Sequence, residues 1–299
     1  MFFLWGGRSG SVSSVSSVPL WFTGGVGRGA MTRIGLLGVP YDASSSFQRG
    51  AAGAPVAIRE ALWSEAGNGW TETGIDLREA GLDDEGDLWF SDREPGDEAR
   101  ARIEQGVVSI LDSGRRPLLL GGDHSITYPA LRGVRRHHPR LGILHLDAHP
   151  DLYQEFQGDL YSHACPFARI MEEGLADRLV QVGIRTLTGH QRVQAARLGV
   201  EVREMRSGQD EEPISFDMPV YLSLDLDVLE PGLAPGVSHR EPGGLSVRQV
   251  LDIIHALEAP LVGADVVELN PLNDPSGLTA AVAAKLVKEI AGRMLTETR

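Results

Sequence analysis

Three short apolar runs in this chain each end in a cluster of aspartate and histidine residues. Residues 118–120 run into Gly-Gly-Asp-His-Ser, residues 141–146 into Asp-Ala-His-Pro-Asp, and residues 220–224 into Asp-Leu-Asp. Short apolar runs bounded by polar residues and glycine are typical of buried strands. The sequence therefore indicates three strands with chemically useful side chains at their ends.

Beyond Met31, further apolar runs alternate with stretches of helical spacing, which predicts an α/β fold with a mainly parallel sheet. The carboxyl ends of parallel strands lie along one edge of such a sheet, where ligands bind. All three clusters are expected at that edge. The predicted strands are 34–39, 117–120, 141–146, 179–183, 200–205, 220–226 and 261–269; the predicted helices are 54–61, 97–112, 126–136, 164–173, 189–198, 247–257 and 279–296.

The three clusters together predict a site for two divalent metal ions. Alternate residues of an extended strand face the same way, so each cluster should aim its side chains at one point. Two ions about 3.5–4 Å apart can clamp a substrate and activate water at neutral pH. Oxygen and imidazole ligands favour two Mn²⁺ per chain, with Zn, Fe, Co and Ni left open. The predicted ligands are His124, Asp147, His149, Asp151, Asp225 and Asp227.

The composition of the chain restricts which partners it can bind and indicates its cellular compartment. A formal net charge of −13 argues against nucleic acid as a partner. The single cysteine, Cys165, excludes a disulfide within the chain and is typical of a reducing compartment, so we expect a cytoplasmic protein. No apolar run approaches the roughly 18–20 residues of a membrane span, so we expect no membrane partner.

Residues 1–30 differ from the rest of the chain in being rich in glycine and serine, with a near-repeat of Ser and Val at residues 11–18. They lack the layout of a signal peptide. We interpret them as a disordered or spurious extension, with Met31 as the hypothetical true start. Residues 31–299 are predicted to form a single catalytic domain.

Two residues outside the ligand set are candidates for catalysis alongside Asp147. Glu268 closes the last predicted strand, where a carboxylate can hold a planar guanidinium by paired hydrogen bonds. His163 follows the loop that leaves Asp151, and an imidazole there can carry a proton to a leaving amine. The structural alternatives are a capping or core histidine and a carboxylate that steadies a metal ligand, and we assign His145 to such a supporting role.

At these residues the chain resembles the ureohydrolases, which include arginase, agmatinase and formiminoglutamase. The three clusters look like the family's signatures, and residues 161–172, 234–246 and 262–268 are especially similar to plant-type arginases. The resemblance implies a three-layer αβα sandwich of roughly eight strands, a dimanganese centre bridged by Asp147 and Asp225, and trimers or hexamers. It further implies that water activated between the ions attacks a guanidinium carbon oriented by Glu268, that His163 shuttles the proton, and that urea and an amine leave.

The resemblance does not determine which substrate the site binds, because it does not identify the group at the far end of the guanidino compound. Asp159 stands where plant-type arginases commonly carry Asn. A carboxylate there would repel the α-carboxylate of arginine, although it could hold the α-amine, whereas agmatine has no carboxylate and loses nothing. Asp159, Ser162 and His239 are the candidate residues for binding the tail of this small guanidino substrate. L-Arginine or agmatine is the expected substrate, with guanidinobutyrate and formiminoglutamate as alternatives. A Cys165 thiol nucleophile and a catalytically silent metal-binding relative are the two other classes considered.

Overall fold

Eight parallel strands form one sheet in the described part of the computed structural model, which covers residues 33–91, 93–207 and 213–296. The described residues belong to a compact unit spanning Met31–Arg299, and the predictions for residues 1–30 lie outside the described residues. The strand order is β2-β1-β3-β8-β7-β4-β5-β6. The strands are β1 (Ile34–Gly38), β2 (Leu82–Asp87), β3 (Arg116–Leu120), β4 (Gly142–Leu146), β5 (Arg178–Ile184), β6 (Glu201–Glu204), β7 (Val220–Asp225) and β8 (Leu261–Val267).

Helices cover both faces of the sheet. Neighbouring strand residues belong to different apolar clusters: Leu118 and Leu120 pack with one, Leu119 with the other. Because consecutive strand residues point to opposite faces, the two clusters are the cores on the two sides of the sheet. The helices are α1 (Ala54–Leu62), α2 (Gly96–Asp112), α3 (Thr127–His137), α4 (Pro166–Glu172), α5 (Gly189–Leu198), α6 (Val247–Ala256) and α7 (Leu278–Leu295).

The first cluster includes residues of α1, α6 and α7, and the second includes residues of α2, α3 and α4. The predicted three-layer αβα sandwich with a mainly parallel sheet is therefore confirmed. Within the described ranges, no helix is long and apolar enough to cross a membrane.

Strand β2 was not predicted, because its sequence Leu-Asp-Asp-Glu-Gly-Asp has no apolar pattern. It is an edge strand that pairs only with β1 among the described strands. Arg59 bonds the side chains of both Asp84 and Asp87, which ties the strand to α1. This exposed strand is held by its hydrogen bonds to β1 and by these ion pairs instead of by apolar burial. Its charged residues also disfavour pairing of this sheet edge with another chain.

The sequence clusters follow β3, β4 and β7, and Glu268 follows β8. These four strands are neighbours in the order β3-β8-β7-β4 at the centre of the sheet. Their carboxyl ends consequently meet at one place, although more than a hundred residues separate the first from the last.

Candidate metal centre

The first cluster of ligand-type atoms surrounds the His124 imidazole. Its Nδ1 lies 3.2 Å from Asp147 Oδ2, 3.1 Å from Asp151 Oδ2 and 3.3 Å from Asp225 Oδ2. None of these contacts has the geometry of a hydrogen bond, so this buried nitrogen has no hydrogen-bond partner among the residues that the structure describes. Burial lowers the pKa of His124, but the carboxylates outweigh it and hold the pKa well above its ordinary value. The three carboxylates therefore favour a positive charge beside His124 Nδ1.

The other side of the His124 ring indicates which charge fits. Ser223 Oγ donates its hydrogen to Asp265 Oδ1 at 2.7 Å, so it can only accept from His124 Nε2 at 2.9 Å. A neutral imidazole that donates from Nε2 presents the lone pair of Nδ1 to the three carboxylates. Lone pairs and carboxylates converging on one point repel each other unless a cation lies between them, and the donor set fits a divalent ion.

The second cluster contains His149 and Asp227, and it shares Asp147 with the first. His149 Nδ1 lies 2.9 Å from Asp227 Oδ2 and 3.5 Å from Asp147 Oδ1. Asp147 therefore directs Oδ2 towards His124 and Oδ1 towards His149, as a carboxylate bridging two ions would. The structure brings all six predicted ligand residues together.

Strand alternation explains only part of this convergence. Strand β4 ends at Leu146, so residues 147–151 lie in a loop rather than in an alternating strand. Asp151 adopts a positive φ of 49°, which turns its side chain back towards His124. Asp227 lies in the short 3-10 turn Leu226–Val228, not in β7. Turn geometry, which the strand pattern does not encode, completes the site.

Gly122 allows the loop that carries His124 to pack against the loop after β1. Its N–H donates to Val39 O, and Asp123 N–H donates to Tyr41 O. A Cβ on Gly122 would lie 1.8 Å from Tyr41 O, so no other residue fits without moving the backbone. Asp123 is buried and accepts hydrogen bonds from Ser44, Ser45 and Ser125.

Behind the ligands, Gln181 and His145 hold Asp147. Gln181 Nε2 donates to Pro150 O at 2.6 Å and to His145 Nδ1 at 3.0 Å. Reversing the amide would set two oxygens against each other, so His145 Nδ1 is the acceptor. His145 then donates from Nε2 to Asp147 Oδ2 at 2.8 Å. Burial lowers the pKa of His145, in keeping with a neutral ring that supports the bridging carboxylate.

The two catalytic candidates contact each other. His163 Nδ1 lies 2.8 Å from Glu268 Oε1, and Ser46 lies on the other side of the ring, its N–H 3.1 Å and its Oγ 2.8 Å from Nε2. Burial would lower the pKa of His163, but Glu268 outweighs it and raises the pKa to about 9. Glu268 itself has a positive φ of 66°, a strained conformation for this residue type that is typical of functional sites.

A cavity of about 300 Å³ opens onto these groups. Of the three residues predicted to bind the substrate tail, His239 lines it, but Asp159 and Ser162 do not. Asp159 Oδ1 instead accepts from Tyr161 N–H at 2.8 Å, and Ser162 is buried. The cavity is lined by Ser46, His149, Asp151, Tyr153, Phe156, His163, Ala164, Thr186, Thr188, Gln191, Asp225, Asp227, His239, Glu241 and Glu268.

The sequence did not single out Ser46, Thr186, Thr188 or Glu241 as site residues. Ser46 lies in the loop after β1, and Thr186 and Thr188 follow β5. The signal that could have found them is their position after the carboxyl ends of strands, at the same edge as the acidic clusters. Cys165 is fully buried, and burial raises its pKa to about 12, which argues against a nucleophilic thiol.

Comparison with known proteins identifies similar enzymes. A sequence model of the Arginase family matches residues 32–292. "Arginase, mitochondrial" of Medicago truncatula is 48% identical, covering 87% of this chain and 81% of its own. N(1)-aminopropylagmatine ureohydrolase of Thermus thermophilus is 39% identical, covering 80% and 83%. A solved arginase from Medicago truncatula matches with a TM-score of 0.83 at 45% identity over 89% of both chains.

The same comparison corrects the expected location. Besides the Medicago protein, an arginase of Arabidopsis thaliana that is 48% identical is named mitochondrial, and a second that is 47% identical is named chloroplastic/mitochondrial. These relatives are named for organelles and not for the cytoplasm, so the prediction of a cytoplasmic protein is wrong. A single cysteine is compatible with any reducing compartment and does not distinguish among them.

Proposed function

The chain belongs to the arginase family, and from that premise we propose that it hydrolyses the guanidinium group of L-arginine to urea and ornithine, with agmatine as the second candidate substrate. One observation carries the proposal. Asp147 directs one oxygen to each of two ligand clusters, and the cavity above them contains a paired carboxylate and imidazole, Glu268 and His163. That arrangement has the parts needed for metal-assisted attack on a guanidinium carbon.

We further propose two Mn²⁺ per chain. His124, Asp147, Asp151 and Asp225 would hold one ion, and Asp147, His149, Asp225 and Asp227 the other. When bound, a pair of divalent ions supplies Lewis acidity and makes water a nucleophile at neutral pH. The ligands contain no thiolate, which favours Mn²⁺ over the metals that prefer sulfur.

In this proposal Glu268 positions the guanidinium group. The neighbouring His163 outweighs burial and lowers the pKa of Glu268, so the carboxylate is ionised at neutral pH. Its Oε1 already accepts from His124 N–H at 2.9 Å and from His163, which leaves Oε2 available to a substrate N–H. A planar guanidinium donates to a carboxylate in a fixed direction, so the bond orients the scissile carbon.

His163 acts as the general acid. With a pKa of about 9 in the metal-free site, its ring is protonated at neutral pH and can deliver a proton to the leaving amine. Ser46 Oγ lies 2.8 Å from Nε2 and lines the cavity, so after the amine has taken the proton it can donate its own hydrogen to the ring and take another from solvent in the cavity. Ser46 therefore offers a path by which the imidazole is recharged between turnovers.

We also propose that the protein forms a trimer or hexamer, as the family resemblance implies. A single catalytic domain spanning residues 31–299 is likewise a proposal. The small cavity, whose lining side chains are mostly polar, suits a small guanidino compound rather than a macromolecule.

The deciding experiment is urea release from Mn²⁺-loaded protein with arginine, agmatine, guanidinobutyrate and formiminoglutamate in parallel. We expect urea from arginine or agmatine and loss of activity on treatment with EDTA, restored by Mn²⁺. Glu268→Gln should lower turnover, and Glu258→Gln, at an exposed position, should not. Absence of urea from arginine and agmatine after metal loading would refute the proposal.

A further inference from the structure

The charges around the cavity suggest how the far end of the substrate is recognised. None of the described residues that line the cavity is a lysine or an arginine. The four ligand aspartates would be balanced by two divalent ions, and Glu268 is paired with His163. One further acidic residue lines the cavity, Glu241, and none of these groups balances its charge.

Arg185, the cation next to this wall, is already committed to backbone carbonyls. Its Nη2 donates to Asp227 O at 2.6 Å and to Glu241 O at 2.6 Å, and its Nε donates to Glu241 O at 2.9 Å. Nη1 donates to Gly183 O at 3.1 Å and to Val228 O at 3.3 Å. With its donors occupied, Arg185 cannot also bind a substrate carboxylate, and it fixes the backbone of Glu241 at the cavity wall.

Glu241 is thus a lining residue with a fixed backbone, and none of the described residues that line the cavity with it is a lysine or an arginine. A carboxylate attracts an ammonium group by a charge-assisted hydrogen bond and repels another carboxylate. The remaining polar residues of this wall, Thr186, Thr188 and Gln191, offer neutral groups, and Thr188 and Gln191 already bond each other in the N-terminal cap of α5. Charge in this region therefore favours an amine-bearing tail.

We propose that Glu241 recognises an ammonium group on the substrate tail, so that the cavity selects guanidino compounds with an aliphatic amine over those whose tail ends only in a carboxylate. The inference rests on the proposed function and adds the determinant of specificity to it. It assigns to Glu241 the role that the sequence suggested for Asp159, whose carboxylate does not line the cavity. Agmatine and arginine both carry the required amine; guanidinobutyrate does not.

The test compares kcat and KM of the Mn²⁺-loaded protein and its Glu241→Gln variant on agmatine, arginine and guanidinobutyrate. We expect the variant to raise KM for the two amines by about tenfold or more, the usual value of a charge-assisted hydrogen bond. KM for guanidinobutyrate should stay the same or fall. Glu155→Gln is the matched control, because it removes the same charge from an exposed position beside the cavity that does not line it.

Binding of 1,4-diaminobutane by calorimetry separates recognition from turnover, since this diamine has no guanidinium group to hydrolyse. Glu241→Gln should weaken its binding by about tenfold, and Glu155→Gln should leave it unchanged. Equal effects of the two variants, or a guanidinobutyrate KM below that of agmatine in the unmodified protein, would overturn the inference. If no substrate yields urea, the proposed function fails, while the diamine measurement still decides the role of Glu241.

Discussion

Oε1 of Glu268 accepts hydrogen bonds both from His163 Nδ1, at 2.8 Å, and from the backbone N–H of His124, at 2.9 Å. A single carboxylate oxygen therefore ties the proposed general acid to the loop that presents a proposed metal ligand. We therefore expect a movement of that loop to change the orientation of the imidazole, which would couple proton transfer to metal binding through this oxygen.

Replacement of His163 tests its role as general acid. His163→Ala should lower turnover by roughly 10²–10⁴-fold, the usual contribution of a positioned acid or base. Metal content should be unchanged, because the ring is not among the ligand clusters. Urea assays and elemental analysis of the same samples check both points, with the surface His137→Ala as control. Unaltered turnover would remove His163 from the mechanism.

The raised pKa of His163 predicts how the stability of metal-free protein depends on pH. A group with a raised folded-state pKa adds stability that is complete below its unfolded value and is lost as pH rises through the folded value. The contribution of His163 should thus be full below about pH 6.5 and disappear through about pH 9.

Chemical denaturation in EDTA at several pH values measures this contribution as the difference between unmodified protein and His163→Gln. His124 and His149, whose pKa values are also raised by neighbouring carboxylates against the effect of burial, contribute equally to both proteins and cancel. The two stability curves should converge between about pH 6.5 and 9. Parallel curves over that range would contradict the prediction.

Removal of Asp227 should affect one ion more than the other. Its Oδ2 lies 2.9 Å from His149 Nδ1, in the second cluster, and it is not one of the three aspartates described around His124 Nδ1. Asp227→Ala should therefore reduce bound manganese towards one ion per chain. Elemental analysis after dialysis measures the ratio, and Asp97→Ala on the exposed start of α2 is the control. Retention of the full metal content would exclude Asp227 as a ligand.

Gln181 should matter for metal affinity although it touches no ligand atom directly. It fixes the proton of His145 on the nitrogen that bonds Asp147. Gln181→Leu removes that restraint, and loss of such an outer partner typically weakens metal binding by about 10–100-fold. Competition with a fluorescent chelator gives the affinity. An unchanged affinity, with an unchanged melting temperature, would show that the orientation of Asp147 does not depend on Gln181.

Cys165 should be unreactive in the native protein. Its side chain is fully buried, and burial raises the pKa to about 12. Iodoacetamide at pH 8 should leave both the thiol and urea release intact, while denaturant should expose the thiol to rapid labelling. Mass spectrometry counts the adducts. Labelling of folded protein in parallel with loss of activity would support the thiol mechanism instead.

The acidic clusters were predictable because each follows an apolar run long enough to mark a buried strand, and parallel topology then joins their ends. Strand β2 was not predictable in this way, since its acidic residues carry no apolar periodicity. The position of Asp159 relative to the cavity could not be predicted for a different reason. Its place in the sequence does not determine which way the loop directs its side chain, and here its carboxylate accepts a hydrogen bond from Tyr161 N–H.

The residues that hold site residues in place, such as Gln181 and Arg185, could not be predicted because their partners are distant in the sequence. Gln181 reaches His145 across 36 residues, and Arg185 reaches Glu241 across 56. An ordinary glutamine or arginine in a strand gives no local sign of such contacts. Only the pairing of β4 with β5, which sets His145 opposite Gln181, makes the first contact necessary.

The position of β8 between β3 and β7 affects how the chain can be made. During synthesis on the ribosome, both strands that flank this gap emerge before the strand that fills it, β3 (Arg116–Leu120) well before and β7 (Val220–Asp225) shortly before. The nascent sheet therefore consists of two incomplete halves, each with an open inner edge, until residues 261–267 leave the exit tunnel. A chain that ends before this segment would leave the inner edges of β3 and β7 without a partner strand and would lack Glu268. We expect such a fragment to be bound by chaperones and degraded by proteases.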